Sequence, residues 1–338
     1  MVGLSRRDIV KKGGILLALA GGVRPGRTQQ ARFFRIGAGP VESGNFAVGT
    51  LIGNLVSSPP GGRDCDRGGS CGVPGLIVIT QTTAGAVANV DAVRTRRLES
   101  GLCQADIAYW AYHGTGLFKK EGAVQNLRAI ANLYPEALHV VVRRPAGIRE
   151  FRQLKGKVVS LGERESGTLV TARAVLQTLG VAERDLRAQF LSPAAAADAM
   201  RDGKLDAFFE MSGIPSAVVA DLARSSEVDL LGIEGQSFQR LVGSHPFFTK
   251  SSIKAGTYHD VPEATTVSVG VLWIVDAEVD EKIVYGLTRA LWHPNNRRIL
   301  DSAAPYGPLI RLETAIEGVA LPVHPGAALY YFEAGLIR

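Results

Sequence analysis

The sequence predicts an α/β protein of two lobes, each a sheet flanked by helices, with a cleft between them. Three observations carry this expectation. Apolar runs suited to buried strands alternate with helical stretches, which is βαβαβ punctuation and implies a parallel sheet covered on both faces. The alternation restarts at Lys157-Val158-Val159-Ser160-Leu161-Gly162. A late β-branched run, Thr265 to Val275, is long enough to carry the chain from one lobe back to the other. With 338 residues and 46% hydrophobic composition, the chain has material for one large core or two moderate ones.

The elements follow in order. Phe33-Phe34-Arg35-Ile36-Gly37-Ala38-Gly39 reads as a strand ending in a glycine turn, then a helix from about Asn45 to Ser57. Gly75 to Thr80 is the next strand, and Thr82-Thr83-Ala84-Gly85 leads into a helix ending near Ser100-Gly101. Ala105 to Tyr109 and Leu138 to Val142 complete the first set of strands. In the second set, Ser166-Gly167-Thr168 opens a helix to about Leu179, which Gly180 suits as a terminus. Ala194 to Asp202 is a further helix, and Asp206 to Glu210 and Val228 to Ile233 are strands. Helices from about Glu281 close the chain. One lobe is therefore expected at 33–138 plus 270–338, with the second inserted at 139–269.

Residues 1–31 form a separate region. Ser5-Arg6-Arg7-Asp8-Ile9-Val10-Lys11, then the apolar Ile15-Leu16-Leu17-Ala18-Leu19-Ala20, reads as a twin-arginine export signal, against the alternative of a basic amphipathic first helix. The apolar run is too short to cross about 30 Å of hydrocarbon. Cleavage is expected between residues 21 and 32, the nearest small-residue match following Ala20. Of the net charge of +6, residues 1–20 contribute three: Arg6, Arg7, Lys11 and Lys12 against Asp8. The remainder is only mildly basic and has no basic stripe with interleaved aromatics, which argues against nucleic acid as a partner. In an exported protein, Cys65 and Cys71, set in a glycine-rich loop, are expected to form a disulfide. Their spacing does not suit structural zinc, and no metal or cofactor is expected. Cys103 lies among apolar residues and reads as a buried small hydrophobe.

Ligands of such sheets bind beyond the carboxyl ends of the strands, where helix amino termini present free N–H groups. Four loops there pair a hydroxyl with glycine: Ser43-Gly44-Asn45, Thr82-Thr83-Ala84-Gly85, Ser166-Gly167-Thr168 and Ser212-Gly213. They suit an anion, most plausibly a carboxylate; the alternative is that each hydroxyl only caps its helix. Gln104 and Tyr109 are expected to shape the pocket. Arg164 pairs either with a ligand acid or with its acidic neighbours Glu163 and Glu165. No catalytic set is evident: the six histidines are scattered, and there is no His-Glu-x-x-His, Gly-x-Ser-x-Gly or Walker lysine loop.

Several motifs carry a resemblance that extends from Ile36 to the end of the chain. They are Leu98-Glu99-Ser100-Gly101 with Gln104-Ala105-Asp106, Tyr112-His113-Gly114-Thr115-Gly116, and Leu127 through Tyr134-Pro135-Glu136. To these add Leu154 through Gly162 with Ser166-Gly167-Thr168, and His324-Pro325-Gly326-Ala327-Ala328-Leu329-Tyr330-Tyr331. Together they resemble the TAXI-type solute receptors of tripartite ATP-independent periplasmic (TRAP) transporters. The resemblance implies a two-lobed periplasmic binding protein of the venus-flytrap, type II-like kind. Such a receptor captures a small organic acid, a dicarboxylate or a glutamate-like amino acid, and delivers it to a TRAP-type membrane permease without catalysis. A periplasmic enzyme of the same fold and a ligand sensor for a signalling receptor are the alternatives.

Overall fold

A computed structural model describes residues 31–245 and 247–338; the paired arginines and the apolar run of the expected signal lie outside them. The chain begins with β1 (Arg32–Gly39), α1 (Gly44–Val56), two short strands β2 (Ser57–Ser58) and β3 (Val73–Pro74), β4 (Leu76–Thr82) and α2 (Ala86–Arg94). Next come β5 (Ser100–Gln104), α3 (Ala105–His113) and the 17-residue β6 (Leu127–Arg143). The middle of the chain comprises β7 (Val158–Ser160), α4 (Gly167–Thr178), β8 (Arg187–Gln189), α5 (Pro193–Arg201), β9 (Ala207–Ser212) and α6 (Ala217–Ser225). It continues through β10 (Val228–Leu230), α7 (Gly235–Ser244) and β11 (Thr249–Ile253). The long β12 (Ala264–Asp276) is followed by α8 (Glu281–Leu291), α9 (Pro294–Ser302) and α10 (Pro325–Glu333).

The topology is that of a two-lobed α/β protein in which two long strands serve both lobes. In one lobe β4, β1 and β5 run parallel, and β12 closes the set antiparallel to β5. In the other, β8, β7 and β9 run parallel, and β6 closes that set antiparallel to β9. The long strands pair with each other antiparallel from Ala137↔Ser268 to Leu127↔Asp276. Beyond Ala137, β6 goes on to pair with β9, while β12 before Ser268 pairs with β11. The sheet is thus mixed rather than wholly parallel, because the strands that pass between lobes must return against the others.

Two segments differ from the sequence reading. The strand of the first set is Ser100–Gln104, and Ala105–Tyr109 opens α3 instead. The small Ser100-Gly101 pair imitates a helix end, but Gly101 is there because α2 lies so close: a Cβ would meet that of Asn89 at 3.0 Å. The run Leu138–Val142 is the second half of β6, whose first half was masked by Pro135-Glu136. Pro135 is tolerated within the strand, in register with Gly270.

Three apolar clusters hold the layers. One, including Ile36, Ile52, Trp273 and Tyr331, lies under α1, α8 and α10. A second, with Val141, Phe208 and Leu222, lies under α5 and α6. The largest runs continuously past the crossover strands, from Val90 and Ile107 to Leu138, Val159 and Val175. Cys65 and Cys71 are disulfide-bonded, with Cα atoms 4.6 Å apart, and Cys103 is a buried free thiol, as the sequence suggested. His293 Nε2 lies 3.8 Å from Cys65 Sγ.

Candidate functional site

Four helices begin around one cleft. Serine caps three of them in the same way: Ser43 Oγ accepts from Phe46 N–H at 3.2 Å on α1, Ser166 Oγ from Leu169 N–H at 3.1 Å on α4, and Ser192 Oγ from Ala195 N–H at 3.3 Å on α5. Each cap leaves first-turn N–H groups free of intrahelical partners, so the positive ends of the helix dipoles face the cleft. α2 has no side-chain cap. Around these termini lie Pro40, Asn45, Gln104, Gly162, Glu163, Thr168 and Glu210, enclosing about 50 Å³. A neighbouring hollow of about 360 Å³ lies between the starts of α1 and α6, beside Tyr306. Among the described residues, no lysine, arginine or histidine lines either space.

The narrowness of the cleft has a structural cause. Val87 and Ala88, in the first turn of α2, donate their N–H groups to the Glu165 carbonyl at 3.1 and 3.2 Å. Glu165 takes φ of 65°, a left-handed conformation that aims this carbonyl across the gap. Gly85 lies flat against Ser166, where a Cβ would be 3.2 Å from its Cα. Tyr306 adds a second bridge. Its ring fills the space a Cβ would need at both Gly44 and Gly213, it stacks on Tyr134 with centroids 5.2 Å apart, and its hydroxyl donates to the Pro215 carbonyl at 2.8 Å.

The fourteen residues expected from the sequence therefore separate. Ser43, Gly44 and Asn45 and Ser166, Gly167 and Thr168 face each other, with Gln104 and Gly85 between them. Thr168 Oγ1 also accepts from Met211 N–H at 3.1 Å, tying α4 to β9. The Thr82 hydroxyl donates to the Gly39 carbonyl and that of Thr83 to Asn89 Oδ1, so both are occupied in holding their loop. Ser212 and Gly213 lie beneath Tyr306 rather than open to the cleft. Two expectations are corrected. Tyr109 packs on His113 and Phe247, with centroids 4.4 and 5.1 Å away, because Ala105–Tyr109 is helical and turns that ring outward. Arg164 is exposed, its guanidinium 4.2 Å from the Phe190 ring centroid.

The buried acids are not among the ligand contacts expected from the sequence. Glu136 is 1% exposed and accepts from Asn45 Nδ2 at 2.7 Å and Gln104 Nε2 at 2.6 Å. Glu210, 3% exposed, accepts from Ser216 Oγ. Burial pushes the Glu136 carboxyl up to about 8, helped by the charges of Glu210 and Asp106 and opposed by its two amide donors. Burial likewise raises Glu210 to about 7 and Asp106 to about 6, and lowers His139 to about 4. A signal for Glu210 was present: an acid directly after the apolar Ala207-Phe208-Phe209. The site combines free N–H donors with buried acceptors, and its one hydroxyl–carboxylate pair, Ser216 with Glu210, also caps α6.

Comparison with known proteins agrees with this architecture. The model of the NMT1-like family matches residues 36–335. MatC from Rhodopseudomonas palustris, solved with bound malate, is similar at 13% identity and a TM-score of 0.52, over 90% of this chain and 97% of that one. PhnD1 from Prochlorococcus marinus (MIT 9301), solved in complex with methylphosphonate, is similar at 14% identity and a TM-score of 0.51, over 80% and 89%. At such identities the likeness is one of fold.

Proposed function

The chain belongs to the NMT1-like family, and on that premise we propose that it is an exported solute receptor that closes on a small organic acid and hands it to a membrane permease. The carrying observation is the facing pair of helix amino termini, α1 and α4, which are separated by a cleft and joined through the crossover strands β6 and β12. Free N–H groups and dipoles there suit a carboxylate without any basic side chain. The malate and methylphosphonate in the similar structures are small anions of the same kind. We take the lobes as 33–138 plus 270–338 and 139–269, with the hinge where β6 leaves β12 for β9. The receptor performs no chemistry of its own.

The motifs shared with TAXI-type receptors support a TRAP-type permease as partner, and the paired arginines support delivery to the periplasm through the twin-arginine route. A thermal-shift screen of organic acids, followed by calorimetry, tests the reading. Gly167→Val places a branched side chain where Gln104 meets α4 and is expected to abolish binding of whichever acid is found. Undiminished binding in that variant would place the ligand elsewhere. Uptake through the cognate permease should collapse with the ion gradient while ATP is maintained.

A further inference from the structure

Away from the cleft, the Cys65–Cys71 disulfide meets the amino terminus of α9, which aims hydrogen-bond donors at the sulfurs. His293 caps that helix, its Nδ1 accepting from Asn295 N–H at 3.2 Å. An imidazole that accepts at one nitrogen carries its proton on the other. Nε2 therefore turns an N–H toward Cys65 Sγ, 3.8 Å away. The Asn295 amide reaches both sulfurs, its Nδ2 lying 3.7 Å from Cys65 Sγ and 3.6 Å from Cys71 Sγ. Two side-chain donors thus meet Cys65 and one meets Cys71. Because Nε2 has no lone pair to offer, the group of Cys65, Cys71 and His293 suits a thiolate rather than a metal ion.

Each cysteine is held independently of the bond between them. The turn bearing Cys65 is closed by Arg67 and Gly69 N–H groups donating to the Asp64 carbonyl at 3.0 and 2.9 Å. Cys71 is fixed on its other side, where Ser70 Oγ donates to the Ser57 carbonyl and β3 pairs with β2. Opening the disulfide therefore leaves both cysteines beside α9. Next to them, between this loop and α8, lies a hollow of about 430 Å³, large enough for a small molecule. Both half-buried cysteines line it, with Lys282 and Arg289 of α8 against a single acid, Asp64, among the described residues. That balance of charge draws a small anion.

We propose that Cys65–Cys71 is a thiol-exchange site that takes a small anionic thiol as a mixed disulfide on Cys71. The incoming thiolate attacks Cys71 Sγ and forms the new S–S bond as the bond to Cys65 breaks. Cys65 Sγ leaves with the electron pair as a thiolate, so a disulfide and a thiolate are exchanged for a disulfide and a thiolate with no net oxidation. His293 Nε2–H, Asn295 Nδ2–H and the positive end of α9 hold the departing charge, and a better stabilised sulfur leaves faster. The exchange modifies the receptor and not its solute, and it is independent of the reading of the cleft.

The test is reaction of the full mature chain with 3-mercaptopropionate and with cysteamine, alike in size and opposite in charge. Each rate, taken per thiolate, is divided by that thiol's rate with the uncharged bis(2-hydroxyethyl) disulfide. Products are trapped with N-ethylmaleimide and mapped by mass spectrometry. The protein is expected to react with 3-mercaptopropionate roughly tenfold faster than the reference disulfide does, as hydrogen bonds to a charged sulfur imply. The added thiol should sit on Cys71 and the maleimide on Cys65, and cysteamine should gain severalfold less. His293→Asn keeps a side chain that caps helices but lacks the Nε2–H. It should lower the rate toward the reference and spread the added thiol over both cysteines while leaving Tm in place. A rate in the unmodified protein no faster than the reference overturns the proposal, as does thiol on Cys65 or on both cysteines alike, and neither result needs a variant to fold. An unchanged rate and product in His293→Asn also overturns it. Cysteamine gaining as much as 3-mercaptopropionate overturns the anionic ligand.

Discussion

At Glu136 and Glu210 a change of protonation becomes a change of stability. An acid whose folded-state pKa is raised binds more protons when folded than when unfolded. Its contribution is therefore fully present below the unfolded value and is lost as pH rises through the folded one. For Glu136 that loss runs from about 4.5 to about 8, and for Glu210 from about 4.5 to about 7. His139, held neutral by burial with a value of about 4, acts oppositely below its ordinary pKa near 6.5. Above 6.5 the two glutamates dominate, Asp106 with its value of about 6 having already lost most of its proton, so stability should fall by on the order of 1–2 kcal/mol between pH 6.5 and 8. Urea denaturation across that interval measures it, and Glu136→Gln and Glu210→Gln should each flatten the slope. A flat profile in the unmodified protein would mean that these carboxyls are already ionised at pH 6.5. Glu210 carries a local sequence signal in the apolar run before it, whereas Glu136 carries none, because an isolated glutamate shows neither its burial nor the distant Asn45 and Gln104 that hold it.

Among the elements, legibility followed how local each signal was. Serine at 43 and 166 announces helix starts through short-range capping, and both helices begin there. Ser192 and Ser216 carry the same signal beside proline and glycine-rich turns, and were overlooked as parts of the site. Tyr109 points away from the cleft because Ala105–Tyr109, expected as a strand, opens α3 instead, and a side chain's direction depends on the element bearing it; Arg164, in the loop between β7 and α4, lies over Phe190. The disulfide loop was read correctly from the glycines around its cysteines. Since it encloses few residues, loop entropy limits its contribution to roughly 2 kcal/mol. Changing both Cys65 and Cys71 to serine should lower Tm by a few degrees and leave ligand affinity unaltered, because the loop packs beside α8 and α9, away from the cleft. A large loss of affinity in that variant would tie the loop to the site.

For the whole molecule, the decisive contact is the one the sequence could not show, between the Glu165 carbonyl and the first turn of α2. It caps a helix of one lobe with the backbone of the other, so closure satisfies two N–H groups that opening returns to water. In the proposed reading, the same contact withdraws α2 from the ligand and leaves the α1 and α4 termini to hold the anion. Its geometry depends on the left-handed backbone of Glu165, which gives two substitutions of opposite effect. Glycine adopts φ of 65° freely and keeps the carbonyl aimed; proline, fixed near −65°, cannot. Glu165→Gly should therefore retain both the radius of gyration in solution scattering and the ligand affinity. Glu165→Pro should increase the ligand-free radius of gyration and weaken binding in proportion to the lost population of the closed state. The ligand should still draw the proline variant shut, since its contacts with α1 and α4 remain. If that variant scatters and binds as the unmodified protein does, closure rests on Tyr306, the second bridge across the cleft, and Tyr306→Ala becomes the variant that opens it.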